Sequence, residues 1–247
     1  MLPVLQGTIK RRLLVNFRAD PQVAQRLIPA PLKVLEHKGS AIVGICLIRL
    51  EHIRVKGFPS ALGIASENMA HRIAVTYDDS NNQAREGVYI WRRDSNQILN
   101  QLGGGRLFPG LHSPAEFTVS DDGKNTELEA QTQSHNADAH VKGTDQSLDS
   151  FSSQAFSDFE EARGFFSRGA CGFNCSVDGK HLEGMELVTK DWIASPMQMS
   201  RTDSSFYSDK SKWPEGSVQF DCALIMRDIE HEWHEINTDA IPAPKQS

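Results

Sequence analysis

The segment Glu67-Asn68-Met69-Ala70-His71-Arg72 places a carboxylate, an imidazole and a guanidinium within six positions. Glu67 and His71 are candidate general acid/base groups, since removing a proton beside a carbonyl needs a positioned base and no covalent intermediate. In an extended chain, alternation sends Glu67 and His71 to one face and Arg72 to the other. The competing reading is that these charges sit at the wet end of a strand and pair with neighbours. A second cluster, Arg92-Arg93-Asp94, closes the apolar run Val88 to Trp91. The same alternation puts Tyr89, Trp91 and Arg93 on one face, an aromatic wall with a cation at its rim. Arg72, Arg93 and Arg106 are therefore the cations available to an anionic ligand, with Tyr89 and Trp91 as its walls.

Other suggestive motifs fail on detail. Gly103-Gly104-Gly105 lacks the Gly-Lys-Ser/Thr of a phosphate loop and reads as a tight turn. Cys171 and Cys175 have neither the spacing of a redox dithiol nor two further zinc ligands. His231 and His234 are three apart, so a strand sends them to opposite faces and a charge-rich, solvated strand is expected. There is no Gly-x-Ser-x-Gly elbow. Neither a metal nor a cofactor is expected.

The elements that must position these groups read mostly as strands. Leu13 to Phe17, Ala41 to Ile53, Met69 to Tyr77, Gly87 to Arg92 and Ser217 to Asp228 are rich in β-branched, aromatic and aliphatic residues. Val218, Phe220, Cys222, Leu224 and Met226 occupy every second position, the pattern of one buried face. Asp121-Asp122-Gly123-Lys124 is a turn signal inside the polar stretch Ser120 to Ser153, which reads as an exposed hairpin region. Helices are few: Asp20-Pro21 caps one that carries Val23, Ala24, Leu27 and Ile28 and stops at Pro29. Ser157 with Glu160 forms a capping-box signature ahead of Ala162, Phe165 and Phe166. Many strands without an alternating strand-helix rhythm predict a mainly β fold, an antiparallel barrel closed or nearly so. One domain over residues 1–238 is expected, with a frayed tail at 239–247 set off by Pro242 and Pro244.

Composition narrows the partners. With 26 basic against 32 acidic side chains the net charge is −6, leaving no excess to neutralise phosphates or an anionic bilayer. The longest apolar run, Ala41 to Ile48, is too short to span a membrane, and the N-terminus has its apolar and basic parts in the reverse order of a secretory signal. Four cysteines are too few for a disulfide scaffold of this size, and Cys46 and Cys222 sit in apolar runs as small hydrophobes. A cytoplasmic protein is expected, with a small organic molecule as partner, without nucleic acid or membrane, and with a homo-oligomer left open.

The phrases LLVNFRADPQVAQRLIPAPLKV, AIVGICLI, SENMAHRIAV and REGVYIWRRDSNQILNQLGGGRLFPG, in this order and followed by SSFYSD and WPEGSVQFDCALIMRDIEHEW, resemble the acetoacetate decarboxylase-like superfamily. Within it the chain is most similar to the YqjF-like branch, a domain of unknown function. The resemblance covers nearly the whole chain and implies a barrel with a small-molecule pocket inside. Acetoacetate decarboxylase forms a Schiff base through a lysine that follows a Tyr-Pro or Phe-Pro dipeptide; here Phe108-Pro109 is followed by Gly110 and Leu111. No lysine occurs between Lys56 and Lys124. One family glutamate falls on Gly44 and the other on Glu67, while a family arginine falls within Lys10 to Arg12.

The resemblance and the residues together imply a barrel that binds a small anionic or carbonyl-bearing molecule without the Schiff-base lysine, with Glu67 oriented inside and Arg93 or Arg106 as anion partners. The alternatives are a lyase or hydratase using Glu67 or His71 as general acid/base, and a non-catalytic structural or interaction module whose barrel is filled by side chains.

Overall fold

A computed structural model describes residues 2–79, 83–97, 112–176, 179–236 and 238. The long strands β1 (Leu5–Ala19), β4 (Ser40–Val55), β5 (Ile64–Asp78), β6 (Ala84–Ser95) and β13 (Val218–Ile236) form the middle of one sheet, in the order β13-β1-β4-β5-β6 and antiparallel throughout. Burial on both faces explains the unbroken apolar run of β4: Ile45 and Leu47 enter one core while Ile42, Cys46 and Ile48 enter the other. The short strands β2 (Lys33–Val34) and β3 (Glu36–His37) pair with β5 and β4.

The sheet closes on itself twice, because β6 and β13 each offer one edge to two partners in succession. Near its start, at Val88 and Tyr89, β6 pairs with β10 (Cys171–Cys175), which pairs with β11 (Leu182–Thr189), which returns to the end of β13. Near its end, at Arg93 to Ser95, β6 pairs with β7 (His112–Asp121). From there β8 (Asn125–Thr132), β9 (Ala139–Asp145) and β12 (Ser195–Ser204) lead back to β13 at Ala223 to Ile225. The first closure is a ring of seven strands, β1, β4, β5, β6, β10, β11 and β13. The expected mainly β fold is thus present, with two parallel pairings, β6 with β10 and β6 with β7, in an otherwise antiparallel sheet. The β7–β8 hairpin turns at 122–124, where Asp122 accepts from the Lys124 and Asn125 amides, as the turn signal indicates.

Helix α1 (Pro21–Gln25) starts where expected, Asp20 accepting from the Gln22 and Val23 amides, but its regular part ends before Leu27 and Ile28. Helix α2 (Phe159–Arg168) caps one residue later than the sequence pattern suggests. Asp158 accepts from the Glu161 amide, while the Glu161 carboxylate reaches back one residue further and accepts from the Ser157 amide. Its buried face, Phe159, Ala162, Phe165 and Phe166, covers the Cys46 side of the sheet. The third helix, α3 (Ser205–Ser208), delivers Phe206 and Tyr207 to the opposite core.

Two bulges overturn expectations about faces. In β6, Arg92 pairs with His71 and Ile90 with Arg72, so Trp91 is the extra residue and parity reverses there. Tyr89 and Trp91 pack on the α3 side, whereas Arg93 joins Val88 and Ile90 on the α2 side; the three do not share a face. In β13, Cys222 pairs with Asn16 and Phe220 with Phe17, leaving Asp221 as the bulge. Cys222, Leu224 and Met226 are buried together, but Val218 packs on the other core and Phe220 is 38% exposed. The bulged Asp221 carboxylate accepts from Arg18 and from the Gln154 and Ala155 amides, pinning the segment that leads into α2. His231 also departs from the solvated strand expected of it: it is buried, and burial pushes its pKa down to about 4.

Candidate functional site

A cavity of about 100 Å³ lies on the α2 side of the central sheet, and every strand of the seven-stranded ring contributes to its wall. Its floor is apolar, with Ile48, Ala70 and Ile90 among the lining groups, and Gly172 on β10 packs closely on Ile90, whose Cδ1 a Cβ there would meet at 3.0 Å. Three arginines, Arg12, Arg72 and Arg93, line it. Arg12 donates through Nε to Cys46 Sγ at 3.5 Å and through Nη1 to Met226 Sδ at 3.9 Å, both weak acceptors. Arg72 donates to Asn16 Oδ1 and lies 5.2 Å from the centre of the Phe166 ring, but its buried Nε has no partner among the described residues. Arg93 Nε is likewise buried and unpartnered among them. Burial pushes both Arg72 and Arg93 down to about 10, the nearby Cys46 thiol opposing this in each case. None of the three guanidiniums forms an ion pair with a carboxylate among the described residues. Charges removed from water are ordinarily paired, because an isolated one is costly; here buried Arg72 and half-buried Arg12 and Arg93 share a cavity with one carboxylate, Asp94, which is held by Arg92 at 2.8 Å.

The other sequence-singled residues lie elsewhere. Glu67 and His71 do share a face, opposite Arg72, and that face turns away from the cavity. Glu67 is buried; its carboxylate accepts from Arg11 Nη2 at 2.8 Å and its backbone amide donates to Asn96 Oδ1 at 3.0 Å. Arg11 also lies 3.6 Å from Asp121, which pairs with Arg227 at 2.7 Å, and Arg227 reaches Asp145 at 3.4 Å. Glu67 is thus the buried end of a chain of alternating charges that runs out to the surface at Asp121, and burial outweighs the Arg11 attraction to raise its pKa. His71 is fully buried against Phe206, ring centres 4.8 Å apart, and burial followed by the cross-strand Arg92 pushes its pKa down to about 3. Tyr89 and Trp91 belong to the same core, Trp91 packing 4.5 Å from Phe206 and Tyr89 Oη lying 3.6 Å from Cys175 Sγ. Arg106, together with Gly103 to Gly105, Phe108-Pro109 and the 239–247 tail, lies outside the described residues.

Of the sequence-singled cations, Arg72 and Arg93 are brought together. The groups that residue-by-residue reading left aside are Arg12 and Cys46. Adjacent Arg11 and Arg12 point to opposite faces, so one closes the Glu67 network and the other lines the cavity, a division that only strand pairing makes. Gly44 also becomes intelligible: a Cβ there would meet Val15 O at 2.5 Å, so β1 and β4 leave no space for a glutamate at that position. Among the described residues no three His, Cys, Asp or Glu side chains lie close enough to hold a metal ion.

Solved structures with the same architecture define the class. An acetoacetate decarboxylase from Legionella pneumophila is 13% identical, with a TM-score of 0.57 over 99% of this chain and 87% of its own. An acetoacetate decarboxylase-like enzyme from Sphingomonas wittichii RW1 is 13% identical, with a TM-score of 0.59 over 100% and 93%. The enduracididine biosynthesis enzyme MppR, complexed with pyruvate, is 10% identical, with a TM-score of 0.61 over 96% and 92%. The fold is therefore acetoacetate decarboxylase-like. No curated protein matches the sequence. Residues 7–175 match the family of uncharacterized conserved proteins DUF2071, and the chain belongs to that family.

Proposed function

We propose that this protein binds a small organic carboxylate, one that also bears a carbonyl being the best fit, in the arginine-lined cavity, and does so without a Schiff-base lysine. The observation that carries the reading is the set of three guanidiniums, Arg12, Arg72 and Arg93, lining one largely apolar cavity with no carboxylate ion pair among the described residues. A carboxylate placed there would receive charge-assisted hydrogen bonds in a setting shielded from water, where such bonds are strong. Pyruvate, the molecule held by MppR, is of this class. The absence of a lysine between Lys56 and Lys124 and from the described cavity wall supports binding without a covalent imine. A reducing, cytoplasmic setting belongs to the same reading, supported by four unpaired cysteines.

The test is thermal unfolding with pyruvate and acetoacetate, each beside a neutral ketone such as acetone. A ligand at about 100 times its Kd adds about 2.7 kcal/mol of stability, so the keto acids should raise Tm and acetone should not. Arg72→Gln and Arg93→Gln should each abolish the rise while folding normally by circular dichroism. Borohydride added with acetoacetate should leave the intact mass unchanged. No Tm response to any small carboxylate, or a response unaltered in both variants, would overturn the reading, and a reduced lysine adduct would overturn its non-covalent part.

A further inference from the structure

Cys46 is a buried thiol, 8% exposed, whose strand neighbours on the same face belong to the core under α2. It also lines the cavity, and its sulfur accepts from Arg12 Nε. Arg72 and Arg93 line the same cavity. Arg72 is itself 8% exposed, and its Nε is unpartnered among the described residues. One nucleophilic atom thus shares a cavity with the guanidiniums that would hold an anion, one of them in contact with it. The other three cysteines are placed differently: Cys222 is buried beside Asn16, and Cys171 and Cys175 flank Phe173 on β10.

We propose that Cys46 is an anion-guided nucleophile: the cavity captures small carboxylates that carry an electrophilic carbon next to the carboxylate and bonds that carbon to Cys46 Sγ. This rests on the carboxylate-binding reading of the same cavity and adds a covalent step to it. The arginines hold the carboxylate, which sets the adjoining carbon against the sulfur and makes the encounter intramolecular. The S–C bond forms as the leaving group departs with its electron pair, and the thiol proton passes to solvent. No oxidant, metal or second substrate enters the balance. A thiol without this surrounding behaves in the opposite way, because the thiolate repels an anionic reagent and favours its neutral counterpart.

The probes are iodoacetate and iodoacetamide, which have the same reacting carbon and differ in charge. The folded protein is treated with each in turn, and the labelled cysteines are identified by peptide mass spectrometry. Clefts lined by one sign of charge raise local counter-ion concentration by about tenfold or more. Cys46 should therefore be modified at least about tenfold faster by iodoacetate than by iodoacetamide. Cys171 and Cys175 should show the ordinary preference for the neutral reagent. Raising the salt to about 1 M, where the Debye length falls to about 3 Å, should shrink the Cys46 preference, and Arg72→Gln should reverse it. A Cys46 that stays unlabelled in the folded protein, or that prefers iodoacetamide, would overturn the proposal. Thermal unfolding of the wild-type protein separates the two readings, since keto acids should raise its Tm without any covalent step. If they do while wild-type Cys46 fails the reagent test, only the covalent inference falls; if Cys46 shows the preference while no carboxylate raises Tm, reversible carboxylate binding falls instead.

Discussion

His71→Leu should convert an acid-sensitive core into a less sensitive one by a calculable amount. His71 is fully buried on β5 between cross-strand Ile45 and Arg92, with Phe206 and Tyr207 against its ring. Its folded-state pKa is pushed down to about 3, against an ordinary value of 6.5. The sign follows from proton counting: between these two values the unfolded chain binds a proton that the folded chain refuses. The stability that depends on neutral His71 is therefore fully present above pH 6.5 and is drained as the pH falls toward 3. Each unit is worth about 1.4 kcal/mol, so the loss between pH 6.5 and pH 5 is about 2 kcal/mol. Leucine does not titrate. Its packing cost or gain is a constant offset, whereas the difference between variant and wild type should move by about 2 kcal/mol in the variant's favour from pH 7.5 to pH 5. Urea unfolding followed by tryptophan fluorescence at the two pH values measures that difference, and groups common to both proteins, such as His231, cancel. Parallel stability-against-pH curves for the two proteins would refute the reasoning.

The Glu67–Arg11 pair should respond unequally to removal of its two members. Arg11→Met strands Glu67 and should cost about 3–5 kcal/mol, as breaking a buried pair does. Glu67→Gln should cost clearly less, because Arg11 keeps Asp121 at 3.6 Å; equal losses in urea unfolding would show that the charges do not act as a chain. Because the Glu67 pKa is already raised by burial, removal of Arg11 raises it further, so the Arg11→Met penalty should shrink as the pH falls toward the ordinary carboxylate value. Gly44→Ala should destabilise by about 1–3 kcal/mol, since its Cβ would collide with the Val15 carbonyl, a backbone atom that cannot swing aside. An unchanged urea midpoint in that variant would contradict the strand spacing.

Local patterns in the sequence settle which segments are strands, where the Asp20 cap and the Asp122 turn fall, and that Glu67 and His71 oppose Arg72. These depend on neighbours within a few residues, on period-two alternation and on the chemistry of caps and turns. Alternation counts residues, however, and cannot see a residue that drops out of a ladder. The bulge at Trp91 sends Arg93 to the cavity and away from Tyr89, and the bulge at Asp221 divides Val218 and Phe220 from Cys222. Both arise from pairing with a strand distant in the chain. Burial too is decided at long range: His231 looks solvated among Glu230, Glu232 and His234 until β1 and β11 pack on either side of its strand. The cavity itself is a product of ring closure. Arg12, Cys46, Arg72, Arg93 and Gly172 come from five different strands, and only the return of β11 to β13 brings the wall around them, because convergence of residues so far apart in the chain is a property of the closed sheet and not of any local spacing.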